Sequence, residues 1–228
     1  VALMRPQLGV ERMIAESSGI DIMLALDVSG SMGAYDVPAS IQTSGELKRR
    51  LQNGSLHNRL VVARNELEKF VAGRPNDRIG LIAFSTHPYV ACPPTLDHDF
   101  LLGHLERLEP GTLGDRTGIV GPVASGTSRL KDSEARRRVL VLFTDGDNNV
   151  EAKVTPLQAA KLAKTFDVAV YTVGVGSNRA VEVIQTPFGS RLRMSQAGFN
   201  RELLREIAKT TGGRYLEAED AEGFSAAM

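Results

Sequence analysis

The chain is marked first by what it lacks: it has one cysteine, Cys92, no tryptophan, and no apolar run long enough to cross a bilayer. One cysteine cannot close an internal disulfide. Bridge-free proteins occur in oxidising as well as reducing compartments, so this leaves the compartment open. A spanning helix needs roughly 20 consecutive apolar residues, and neither such a run nor a signal-peptide pattern is present. Lysine plus arginine number 27 against 27 aspartate plus glutamate, so no net charge favours nucleic acid as a partner. Familiar catalytic motifs are missing too. Gly174-x-Gly176 lacks the third glycine and the following helix of a dinucleotide fingerprint, and there is no phosphate-cradling Walker loop. The four histidines have no metal-ligand spacing, and no motif pairs them with Cys92, which lies in apolar company and reads as a small core residue.

What is present is an ordinary globular composition, 42% apolar and 24% charged over 228 residues, enough for one α/β domain with a sizeable core. The chain opens at Val1 and stops at Met228 within a helical pattern, so it is expected to be a fragment of a longer protein. Residues 1–18 are mixed and unperiodic and read as a lead-in; 19–228 read as one domain. A polar stretch at about 36–58, broken by Pro38, Gly45 and Gly54, reads as a solvated surface insertion with a short helix at Glu46–Gln52.

Around it, strands and helices alternate. Apolar runs at Ile20–Leu26, Ile79–Phe84, Val139–Phe143 and Val168–Val175 read as buried strands, and helical spacing recurs from Arg59 to Val71. Helices are also expected over His98–Leu108, Ile119–Leu130 and Leu157–Phe166, from Asn200 to Lys209, and from Asp220 on. Asp97, Thr155 and Asn200 serve as caps. Tyr89–Cys92 follows its predecessor too closely for a helical crossover, so it should pair antiparallel and end at Pro93-Pro94 as an edge strand. A polar hairpin or loop fills 177–198, and Tyr215–Ala218 supplies the last strand. The expected fold is a doubly wound, Rossmann-like, mostly parallel six-stranded sheet. Its strand order is 3-2-1-4-5-6 with strand 3 the antiparallel edge, and helices cover both faces.

In such a sheet strands 1 and 4 are neighbours whose connections leave on opposite sides, and ligands bind at the crevice beyond their carboxyl ends. Strand 1 ends at Asp27-Val28-Ser29-Gly30-Ser31, and strand 4 ends at Thr144-Asp145-Gly146. Alone, Asp-x-Ser-x-Ser is compatible with an Asx or Ser turn. Two carboxylates delivered to one crevice by independent strands are harder to assign to packing. With Ser29, Ser31 and Thr117 they form a hard oxygen set that suits Mg²⁺ or Mn²⁺ better than Zn²⁺.

These residues resemble the metal-ion-dependent adhesion site (MIDAS) of von Willebrand factor type A (vWA) domains, and the likeness extends over Asp77-Arg78-Ile79-Gly80 and Tyr171–Gly176. More narrowly, Arg5-Pro6-Gln7, Cys92-Pro93-Pro94-Thr95-Leu96-Asp97-His98, Thr186-Pro187-Phe188-Gly189 and Thr211-Gly212-Gly213 resemble the vWA proteins of bacterial aerotolerance (Bat-type) operons. In that family Arg-Pro-Gln follows a membrane helix and another helix follows the domain. Two departures stand out: Arg116-Thr117-Gly118-Ile119 replaces the usual Gly-Thr-Ala-Ile, and the 36–58 insertion is longer than expected.

The resemblance implies a metal-dependent protein-binding module rather than an enzyme. Its ligands are Asp27, Ser29, Ser31, Thr117 and Asp145, and its ion is Mg²⁺, or Mn²⁺ or Ca²⁺. The implied partner is a protein that offers an acidic residue to the metal, within a bacterial envelope or stress-tolerance complex. The parent chain would be anchored in the inner membrane, with this domain on the periplasmic side by preference. Two alternatives stand beside it. A metal-assisted phosphoryl transferase or hydrolase would use Asp27 as nucleophile, but a haloacid-dehalogenase-like site needs a second carboxylate where Ser29 stands, and no Ser-His-Asp set or base accompanies it. A metal-free structural domain is the other.

Overall fold

The central strand forms because Ile22–Leu26 is apolar on both alternating faces, which suits a strand covered on each side by helices. The computed structural model describes residues 19–177, 179–187, 189–195 and 199–218; the lead-in expected at 1–18 and the helix expected from Asp220 lie outside these. In chain order the elements are β1 (Asp21–Asp27), a 3-10 turn (Gly30–Gly33), β2 (Tyr35–Asp36), α1 (Ser44–Gln52), α2 (Arg59–Ala72), β3 (Arg78–Phe84), β4 (Pro88–Thr95) and α3 (His98–Glu106). Then follow α4 (Val120–Leu130), β5 (Arg138–Thr144), α5 (Pro156–Thr165), β6 (Val168–Gly174), β7 (Ala180–Thr186), β8 (Gly189–Met194), α6 (Arg201–Thr211) and β9 (Tyr215–Glu217).

The main sheet has six strands in the order β4-β3-β1-β5-β6-β9. All neighbours run parallel except β3 and β4. This is the expected 3-2-1-4-5-6 arrangement. Side chains alternate between two cores. Ile22, Leu24 and Leu26 face Leu60, Leu67 and Phe70 of α2 and Leu101 of α3. Met23 and Ala25 face Val123 of α4, Ala160 of α5 and Ile207 of α6. The helix starts are fixed as the sequence suggests. Asp97 and Asn200 accept from backbone N–H groups in the first turns of α3 and α6, and Thr155 and Gln158 form a reciprocal capping box around Pro156.

Two features differ from expectation. β4 does not stop at Pro93-Pro94 but runs to Thr95, with register shifts opposite Ile79–Ile82. An edge strand can carry prolines because one row of its backbone groups has no partner to lose. The polar stretch at 36–58 and the excursion at 177–198 are also not independent. β2 pairs with β7, and β7 with β8, in a second, antiparallel three-stranded sheet. Val37, Ile41 and Leu47 from the first stretch pack on Val181 of the second, forming a small core of their own.

Candidate metal centre

The two acidic parts of the site leave the carboxyl edge of the main sheet. β1 and β5 lie side by side, so Asp27 and Asp145 arrive as buried carboxylates at the same edge. The loop after β1 curls back on itself: the Ser29 N–H donates to Asp27 Oδ1 at 2.9 Å, and the Ser29 and Ser31 hydroxyls lie 3.0 Å apart. From β5, the Thr144 hydroxyl donates to Asp27 Oδ2 at 2.6 Å and accepts from the Gly146 N–H at 3.1 Å. The Asp147 N–H donates to Asp145 Oδ1 at 3.2 Å. The Ser31 hydroxyl is close enough to the Asp145 carboxylate to favour its charged form.

Thr117 is buried in the loop before α4. Its backbone is clamped by the loop after β5, its N–H donating to Asn149 Oδ1 at 2.9 Å and its C=O accepting from the Asn149 N–H at 3.0 Å. Asn148 Oδ1 accepts from the Ile119 N–H at 3.0 Å. Thr117 therefore travels with the Asp145 loop. Among the described residues no hydrogen bond joins its hydroxyl to the other four, whereas Asp27, Ser29, Ser31 and Asp145 are linked directly. Arg116 is exposed beside it. On α1, Arg50 is paired to Glu46 at 2.8 Å.

Burial of Asp27, reinforced by the negative charge of Asp145, pushes its pKa up to about 7 in spite of the Thr144 and Ser29 bonds. Burial also raises that of Asp145, opposed by Ser31 and Arg59. The oxygens of the arrangement are carboxylate and hydroxyl, and burial outweighs the favourable contacts of both carboxylates.

The structure adds two residues that the sequence left unread. Arg59, the first residue of α2, is fully buried, and its Nη1 donates to Asp145 Oδ2 at 3.1 Å. Its Nε and Nη2 fork onto Asp36 of β2 at 3.1 Å each, and Nη2 also reaches the Ser177 carbonyl at 3.0 Å. In the sequence Arg59 opens an amphipathic helix, where a charge ordinarily faces water. The single guanidinium beside Asp27 and Asp145 is shared with Asp36, so the pair keeps an excess of acidic groups, and its carboxylate and hydroxyl oxygens are a donor set that fits a hard divalent ion. Among the described residues no group of three histidine, cysteine, aspartate or glutamate side chains offers another metal site.

A family model for the von Willebrand factor type A domain matches residues 22–148. An uncharacterized protein of Borreliella burgdorferi is 30% identical over 232 residues, spanning all of this chain and 62% of that protein. A UPF0353 protein of Nocardia farcinica is 26% identical over 90% of this chain and 60% of its own length, so the chain spans about three fifths of these relatives. Among solved structures, an aerotolerance-related membrane protein from Bacteroides fragilis superposes with a TM-score of 0.73 at 26% identity, covering 92% of this chain and 96% of that one. Proximal thread matrix protein 1 from the mussel byssus, with a zinc-occupied MIDAS motif, shares the fold. Its TM-score is 0.60 at 16% identity, over 91% of this chain and 46% of that one.

Proposed function

Because the chain belongs to the von Willebrand factor type A family, we propose that it is a metal-dependent protein-binding module, with Asp27, Ser29, Ser31, Thr117 and Asp145 holding Mg²⁺ or a similar hard divalent ion. The observation that carries this reading is the convergence of two buried carboxylates from adjacent strands onto one pair of serine hydroxyls, with too little positive charge to balance them. A bound ion would supply an electrophilic coordination position for a carboxylate from a partner. The chain's own part is to orient. Thr144 and the Ser29 N–H fix both oxygens of Asp27, Arg59 and the Asp147 N–H fix those of Asp145, and Asn149 anchors the Thr117 loop. Ser31, part-exposed, stands at the mouth.

The hydroxyls of Ser29, Ser31 and Thr144 are engaged with one another and with the two carboxylates, as a ligand shell requires, which supports binding rather than turnover. The Bacteroides fragilis protein is named as an aerotolerance-related membrane protein. This supports placing the parent protein of this chain in a bacterial envelope complex, anchored through segments outside these 228 residues. No helix among the described residues is long and apolar enough to cross a membrane.

Isothermal titration with MgCl₂ tests the reading. Wild type is expected to bind one ion, and Asp27→Ala to lose it. Equal binding by the two proteins would overturn the ligand set. Affinity capture from envelope extracts, with Mg²⁺ or with EDTA, should retain a partner in the first case alone.

A further inference from the structure

Arg59 is placed where an arginine is costly. It is the first residue of α2, so its charge faces the positive end of the helix dipole, and its side chain is removed from water. Two carboxylates offset that cost, and they belong to different parts of the molecule. Asp145 is at the end of β5 in the main sheet, whereas Asp36 is in β2 of the second sheet. Asp36 is itself held from that side, its Oδ1 accepting from the Ser177 N–H at 2.7 Å and the Ser177 hydroxyl at 3.0 Å. Its neighbours continue the tie: the Val37 N–H donates to the Arg179 carbonyl at 2.7 Å, and Asp36 is paired with Ala180. The guanidinium is therefore unequally shared. Its fork is committed to Asp36, and a single N–H is left for Asp145. Gly176 makes room for it, holding φ at +123° where a Cβ would stand 2.5 Å from Nε.

We propose that Arg59 is a positioning residue of the metal centre whose pull on Asp145 is divided with Asp36, so that the affinity of the centre for its ion is set in part from the second sheet. This rests on the metal-dependent reading above. The sign follows from charge. Arg59 and the ion are both cations beside Asp145, so each weakens the hold of the other. Asp36 neutralises Arg59 and thereby favours the ion. Removing the charge of Asp36 turns more of Arg59 on the centre, Glu182 and the Ser177 carbonyl keeping the remainder, whereas removing the charge of Arg59 leaves Asp145 to the ion.

The test is titration of the 228-residue chain and three variants with MgCl₂, with folding of each followed by circular dichroism. Asp36→Asn is expected to raise the Mg²⁺ dissociation constant at least fivefold, and Arg59→Met to lower it at least fivefold, the change that a unit charge about 4 Å away produces even at the dielectric of water. Arg59→Lys, which keeps the charge, should return it close to the wild-type value. Opposite signs for Asp36→Asn and Arg59→Met cannot come from loosened packing, which would weaken binding in both. If Arg59→Met does not fold, Asp36→Asn decides, since Asp36 is part-exposed and the amide preserves its volume. Unchanged affinity in Asp36→Asn, or weakening in both variants, would overturn the inference while the metal reading stands. A wild type that takes up no Mg²⁺ would overturn both.

Discussion

Residue by residue, the site depends on a few atoms with no substitute. Gly176 is one. Its φ of +123° is left to glycine, and a methyl group there would meet the buried guanidinium of Arg59. Gly176→Ala is expected to cost at least the ~1–3 kcal/mol of a strained backbone, at roughly 2–4 °C in melting temperature per kcal/mol for a domain of this size. A melting temperature equal to wild type would show that Arg59 has somewhere else to go. Thr144 is another. Its buried hydroxyl serves Asp27 Oδ2 and the Gly146 N–H together, so Thr144→Val keeps the shape and strips a partner from each. Denaturant unfolding should register a loss of about 1–3 kcal/mol. The meeting of Asp27 with Asp145 was legible in the sequence, because a carboxylate ending each of two adjacent parallel strands must arrive at one edge. Arg59 and Asp36 were not. A helix-opening arginine looks like a solvated residue, and its aspartate partner stands in a segment too short and polar to read as a strand.

At the level of elements, legibility followed length and periodicity. β1, β5 and β6 announce themselves as apolar runs, and α2, α3, α5 and α6 by spacing and caps, with ends within a few residues of expectation. β4 was cut short because prolines stop a ladder in general, though not at an edge. The β7–β8 hairpin matches the hairpin or loop expected over 177–198, but its joining to β2 has no local signal: β2 is two residues long, and β7 lies about 145 residues further along. That sheet has its own acid sensitivity. Burial works to raise the pKa of Glu182 in β7, but the Arg193 bond at 2.6 Å and the Ser195 bond at 2.9 Å prevail and lower it below the ordinary 4.5. A group with a depressed folded-state pKa contributes stability above its unfolded value and loses it as pH falls through the folded one. Amide exchange in β7 and β8, corrected for its intrinsic rate, should therefore accelerate selectively below about pH 4.5. Glu182→Gln should lose that pH dependence; if it follows wild type, the Glu182 bonds are not what holds the hairpin.

For the molecule as a whole, strand order decided most of what could be known in advance. Parallel strands with helical crossovers leave few topologies, and the order β4-β3-β1-β5-β6-β9 puts the first strand beside the fifth with helices on both faces. The proposed ligands therefore come from residues 27–31, 117 and 145, stretches far apart in sequence that meet only in the folded chain. An ion held there binds the native state and not the unfolded one. Linkage then stabilises the fold by about 2.7 kcal/mol at 100 times the dissociation constant, a rise of ~5–11 °C in melting temperature. Asp27→Asn should abolish that rise. In EDTA its melting temperature should stay within a few degrees of wild type, because the weakened Thr144 bond is offset by removal of a buried charge facing Asp145. Arg116→Ala should keep the rise in full, since Arg116 is exposed at the rim and touches none of the buried carboxylates, and should instead slow association with an acidic partner. Thermal melts of the three proteins in Mg²⁺ and in EDTA separate these roles. A rise that survives Asp27→Asn would place the ion elsewhere, and one lost in Arg116→Ala would put Arg116 inside the centre rather than at its rim.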